Sequence, residues 1–132
     1  MVGGLNEAGR KLRQAVSVAI DQEEFISIFM NGRGVPAMSP LPPGIFGYEE
    51  GPAGINPRVY DWQANPAHPE GGEARRKSVM EAKRLLAEAG WPNGRNARTG
   101  EPLVLNLDTT AGGMGDKARL DWLTRQLAKI DV

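Results

Sequence analysis

His68 is the only histidine in the 132 residues, and there is no cysteine. A zinc or iron site built on nitrogen or sulfur needs more than one such ligand, so no metal site is expected. Pro66, Pro69, Gly71 and Gly72 around His68 read as an exposed turn. The cluster Gly112-Gly113-Met114-Gly115 lies between a strand-like run and a helix-like one. Backbone N–H groups at such a place can hold a phosphate or a carboxylate. No Gly-Lys-Ser or Gly-Lys-Thr is present, however, and Lys117 is misplaced for a phosphate loop. The cluster therefore reads first as a flexible joint, with an anion cradle as the alternative. Asp21, Glu23 and Glu24 gather at a helix start, where capping explains them. Glu49-Glu50 lies in a Pro-rich stretch and reads as solvated. No Gly-x-Ser-x-Gly elbow and no Ser/His/Asp set is present, so no catalytic residue and no cofactor is expected.

Composition narrows the field further. Lys plus Arg equals Asp plus Glu, giving zero net charge. A dedicated nucleic-acid binder normally carries a clustered basic excess, so no nucleic-acid partner is expected. No run approaches the roughly 18–20 apolar residues of a membrane span. The start lacks a basic region followed by an apolar one, so any signal peptide is expected to lie upstream. Residues 1–6 are expected to be a vector-derived or disordered start.

The elements follow from spacing. Residues 7–20 read as a helix with Leu12, Ala15, Val16 and Ala19 on one stripe. Asp21 reads as the N-cap of a second helix, with Glu24 three residues on and Gly32 as its stop. Residues 34–72 hold many prolines and glycines, show no period, and read as a long loop laid over the helices. Residues 73–89 read as the strongest helix, ended by Gly90 and Pro92. Residues 103–109, from Leu103 to Thr109, alternate as the one clear strand. Asp116 can cap a last helix whose stripe is Leu120, Leu123, Leu127 and Ile130. Trp91 and Trp122 read as core, whereas Trp62 reads equally as a loop anchor or a ligand-facing aromatic. About four helices and one strand make an α/β, helix-rich chain. A lone strand leaves its backbone groups unpaired. Its partner must come from the loop, from a second copy, or from residues outside this chain.

The segments also carry a resemblance. Arg13-Gln14-Ala15 with Ala19-Ile20-Asp21, then Gly34-Val35-Pro36-Ala37 and Pro40, are followed by the helix from Glu81 to Gly90. In that order, with residues 103–109 and the helix from Trp122 to Ile130, they resemble the extracellular solute-binding proteins of family 5. The resemblance implies a fragment of the C-terminal lobe of a type II periplasmic-binding-protein-like fold, covering residues 1–132. It implies a periplasmic or lipid-anchored receptor that binds a peptide or similar small solute and hands it to the membrane permease of an ABC importer. It makes Arg33, Gly34, Thr109 and Thr110 the candidate ligand-adjacent residues. The competing expectation is an interaction module that recruits a partner through an exposed strand edge and aromatic loop. Either way, residues 103–109 are expected to pair with another strand, including that of a second copy in a homodimer.

Overall fold

The computed structural model describes residues 3–110 and 113–132. They form four α-helices and one two-stranded sheet: α1 (Glu7–Ala19), α2 (Gln22–Phe29), β1 (Tyr60–Asn65), β2 (His68–Arg76), α3 (Val79–Glu88) and α4 (Met114–Ala128). The chain divides into two compact units. One joins the described residues up to Ile20 with Ser78–Val132, and the other is Asp21–Lys77.

In the first unit, α1 starts where the Asn6 side chain accepts the Gly9 N–H at 2.9 Å. Gly3 and Gly4 lie on this first turn, so a Cβ on Gly9 would come within 2.2 Å of the Gly3 carbonyl oxygen. Residues 3–6 thus cap and cover the start of α1; Met1 and Val2 lie outside the described residues. Helix α1 packs on α3 through Leu12, Ala15, Val18 and Ala19 against Ala82, Leu85, Leu86 and Ala89, all buried. Small residues at the crossing let the two backbones approach closely. Lys11 and Glu88 bridge the two helices at 2.8 Å on the solvent side.

Helix α3 is shorter than the 73–89 read from sequence. Ser78 caps it, and residues 73–76 belong to β2 instead. It ends in a double closure: Gly90 N–H bonds Ala87 O and Trp91 N–H bonds Leu86 O, with Gly90 at φ +92°. That is the glycine stop expected there. Helix α4 buries Trp122 and Gln126, and Ile130 just past its end continues that spacing of four. Leu120, Leu123 and Leu127, three members of the expected core stripe, are only half-buried. Asp116 is not the cap but the third residue of α4, and its carboxylate accepts the Gly113 N–H at 3.0 Å.

Residues 103–109 do not form the expected strand. Among the described residues, Val104 to Thr109 make no backbone ladder, and only Arg95 and Pro102 form an isolated bridge just before them. The alternation holds only from Leu103 to Asn106: Leu103 and Leu105 are half-buried, Val104 and Asn106 are exposed, and Leu107 is 60 % exposed. A strand, however, also needs a partner backbone.

In the second unit, the Asp21 carboxylate caps α2 by accepting the Glu24 N–H at 2.9 Å, as the sequence predicts. Phe25 and Phe29 stack one turn apart, ring centroids 5.0 Å. The long loop is not structureless. Its last part is an antiparallel hairpin pairing Tyr60 with Arg76 and Trp62 with Ala74, with a bulge between Ala64 and Asn65. A Cβ on Gly72 would lie 2.7 Å from the Trp62 ring, so this glycine makes room for the indole. Trp62 is therefore a hairpin anchor.

Candidate functional site

The first unit carries a groove of about 610 Å³. Val16 of α1 and Ile20 just past its end form one wall, Leu123 and Leu127 of α4 another, and Leu105 and Leu107 its edge. These are the apolar residues that the helix–helix core leaves over. Several polar groups at the rim already have backbone partners. Ser17 Oγ donates to Arg13 O, Thr124 Oγ1 donates to Leu120 O, and Arg13 donates to Gly4 O at 2.6 Å. Thr109 lines the same groove, and Thr110 beside it is exposed.

Arg33 and Gly34 belong to the other unit. Arg33 is exposed, its N–H bonded to Met30 O at 2.9 Å. Gly34 has φ +146°, and a Cβ there would contact Ile26 and Met30, so the loop folds against α2. His68 is exposed, as expected, but it is the first residue of β2, and the turn lies just before it at Pro66 and Ala67. Gly112 of the candidate anion cradle lies outside the described residues. The Gly113 N–H is already taken by the Asp116 carboxylate. Among the described residues, no three His, Cys, Asp or Glu side chains gather to hold a metal ion. No helix there is long and apolar enough to cross a membrane.

A polar cluster that the sequence reading missed lies in the second unit. Arg76 on β2 bonds Glu23 at 2.8 Å, lies 3.7 Å from Asp21 and donates to the Tyr60 hydroxyl at 3.1 Å. Its guanidinium also lies 5.2 Å from the Tyr60 ring centroid, a cation–π contact. Tyr60 is only 3 % exposed. Burial, and then its hydrogen bond to Glu23, hold the phenol well above its ordinary pKa of 10.0. Burial alone would raise Glu23, but hydrogen bonds from Tyr60 and Arg76 outweigh it and keep the carboxyl below its ordinary 4.5. The cluster ties the hairpin to α2, and Lys77 adds an ion pair to Asp61. The acidic residues had been assigned to capping alone, and the signal for their second role was an Arg-Arg-Lys run 53 residues away from Glu23.

A pH dependence follows. A group whose pKa rises on folding stabilises the fold fully below its unfolded value and loses that contribution as pH rises through the folded value. The native chain should therefore lose stability to urea above about pH 10, the ordinary phenol value. Tyr60→Phe should flatten that alkaline slope. Glu23 acts in the opposite sense, contributing above its ordinary 4.5 and losing that contribution on acidification. Urea midpoints between pH 7 and 11 for both chains measure the effect, and equal alkaline slopes would refute it.

The profile described as bacterial extracellular solute-binding proteins, family 5 Middle, matches residues 6–132. Heme-binding protein A of Haemophilus influenzae is 38% identical over 123 residues, 92% of this chain and 18% of that protein. Di/tripeptide-binding protein 2 of Pseudomonas aeruginosa is 28% identical over the same shares of each. Glutathione-binding protein GsiB of Pectobacterium atrosepticum is 31% identical over 84 residues, 64% of this chain and 12% of that protein. No solved structure matches. The chain thus spans less than a fifth of the length of these curated relatives. With its helices in the order and positions that the match covers, the chain belongs to the bacterial extracellular solute-binding proteins of family 5.

Proposed function

We propose that these residues are part of one lobe of an extracellular receptor, non-enzymatic, that captures a peptide or similar small solute and delivers it to the membrane permease of an ABC importer. The observation that carries this reading is the family match over residues 6–132. Two relatives named for di/tripeptides and for glutathione, itself a tripeptide, support the peptide class. The receptor works outside the cytoplasmic membrane, in the periplasm or held at the surface by a lipid. Thr109 lines the groove of the first unit, and Thr110 beside it is exposed. Their hydroxyls suit a peptide backbone, and the Arg33 guanidinium beside the Gly34 turn suits a carboxylate.

Calorimetry on the whole receptor with di- and tripeptides tests the reading. Peptide binding is expected, with a loss of about 3- to 10-fold in affinity for each of Thr109→Ala, Thr110→Ala and Arg33→Ala, the worth of one hydrogen bond. Residues 1–132 alone should give no measurable heat, because a two-walled cleft needs contacts from both walls. The 38% identity to a heme-binding protein favours a second reading, heme as the solute. A heme absorbance shift without any peptide heat would replace the first reading by the second.

A further inference from the structure

Two asparagines precede a glycine, in Asn31-Gly32 and Asn93-Gly94. In such a pair the glycine nitrogen can attack the asparagine side-chain amide, because no Cβ crowds it. The other asparagines are poorly placed for this chemistry. Asn56 and Asn65 precede prolines, which have no N–H. Asn6, Asn96 and Asn106 precede Glu7, Ala97 and Leu107, whose side chains hinder the approach.

The two pairs share a local geometry but not their surroundings. Both asparagines have left-handed φ, +50° at Asn31 and +53° at Asn93, and both glycine N–H groups are hydrogen-bonded. Attack needs that bond broken and the peptide turned, so each pair reacts only when its turn opens. At Asn93 much has to move. Gly94 is buried, and a Cβ there would fall 1.8 Å from the Asp131 carbonyl oxygen. Its N–H bonds Trp91 O at 3.2 Å and its carbonyl accepts the Leu103 N–H at 2.7 Å. At Asn31 little has to move. Asn31 and Gly32 are both exposed, and a Cβ on Gly32 would meet nothing within 4 Å. The turn is held by Gly32 N–H on Ile26 O at 3.0 Å and Arg33 N–H on Met30 O at 2.9 Å. It closes α2, and none of the eight residues of that helix is buried, so fraying there uncovers no core.

We propose that Asn31 is a site of spontaneous deamidation in the folded protein and that Asn93 is protected from it. The Gly32 nitrogen gives up its proton and bonds Cγ of Asn31, the Cγ–Nδ2 bond breaks, and ammonia leaves with that proton. Water then opens the five-membered imide at either carbonyl, leaving aspartate or isoaspartate. The net change is one water in and one ammonia out, with nothing oxidised or reduced. Either product puts a negative charge at the carboxyl end of α2, where the helix dipole disfavours it, two residues from Arg33. Isoaspartate also adds a carbon to the main chain, so the turn cannot close as before. The inference is independent of the solute reading, since it concerns main-chain chemistry alone.

The test is to hold the chain in mildly alkaline buffer, folded and in urea, and to map deamidation by proteolysis and mass spectrometry. In urea both sites should react at similar rates. In the folded chain Asn31 should react at least about tenfold faster than Asn93. Isoaspartate, read by an isoaspartyl methyltransferase, should map to the Asn31 peptide. Equal rates in the folded chain would overturn the proposal. So would a faster Asn93, or no reaction at either site while the urea sample reacts fully. Asp21→Ala gives a second readout, because it removes the side chain that caps α2. It should speed Asn31 severalfold and leave Asn93 unchanged. Equal acceleration at both sites, or none at Asn31, would also overturn the proposal.

Discussion

Replacing Leu86 with alanine is expected to lower the unfolding free energy by about 3 kcal/mol, within the range for deleting a buried leucine side chain. Leu86 is 1 % exposed and sits where α3 packs on α1. Its neighbours there include Ala15 and Ala82, both wholly buried. Small side chains cannot swing in to refill the hole, so the lost transfer energy and the cavity add. A domain is typically stable by about 5–15 kcal/mol, so this one change would remove a large share. Met80→Ala on the same helix is the control, since Met80 is 72 % exposed and should change stability by less than about 0.5 kcal/mol. Urea unfolding followed by circular dichroism at 222 nm measures both. A loss near 1 kcal/mol for Leu86→Ala would mean that the α1–α3 contact is looser than the packing shows.

The second large effect is expected at Gly94. Asn93 and Gly94 both have positive φ, +53° and +68°, forming a tight turn after Trp91. A Cβ on Gly94 would fall 1.8 Å from the Asp131 carbonyl oxygen and 2.7 Å from its carbon. Both are backbone atoms and cannot rotate away. The Gly94 carbonyl also accepts the Leu103 N–H at 2.7 Å, so any shift of the turn disturbs that bond. Gly90→Ala provides the reference. Its φ is +92°, with nothing within 4 Å of an added Cβ, so it reports the left-handed backbone alone, about 1–2 kcal/mol. Gly94→Ala carries the same backbone term plus the collision, and about 3 kcal/mol or more is expected. Equal losses for the two variants would show that the chain around Asp131 yields without cost.

Reading these elements from sequence succeeded where one residue decides the outcome locally. Asp21 with Glu24, and Gly90 with Pro92, each mark a helix end by a hydrogen bond made within a few residues. The start of α3 was misplaced because Glu73-Ala74-Arg75-Arg76 is good helix language, yet those residues pair with β1. Ser78 with Glu81 was the overlooked start signal. The hairpin was hidden because β2 reads His-Pro-Glu-Gly-Gly-Glu-Ala-Arg-Arg, with almost nothing apolar to alternate. Its register depends on Trp62 over Gly72 and on Arg76 over Tyr60, contacts that exist only across the pair. The 103–109 alternation was legible, but pairing is a property of two segments, and the sequence displays one. Of the candidate site, Thr109 lines the groove of the first unit, and all four candidates, Arg33, Gly34, Thr109 and Thr110, come from the resemblance and not from a local rule.

The second unit, Asp21–Lys77, is inserted between α1 and the rest of the first. During synthesis, α1 leaves the ribosome with Leu12, Ala15 and Val18 uncovered, and α3 follows only after the insert. At about 5–20 residues per second that interval lasts several seconds. The insert meanwhile can form from its own contiguous stretch. The order of assembly is therefore opposite to the order of the chain, with the middle settling before the beginning. A chaperone that shields a nascent amphipathic helix would find its natural client in α1 during that delay.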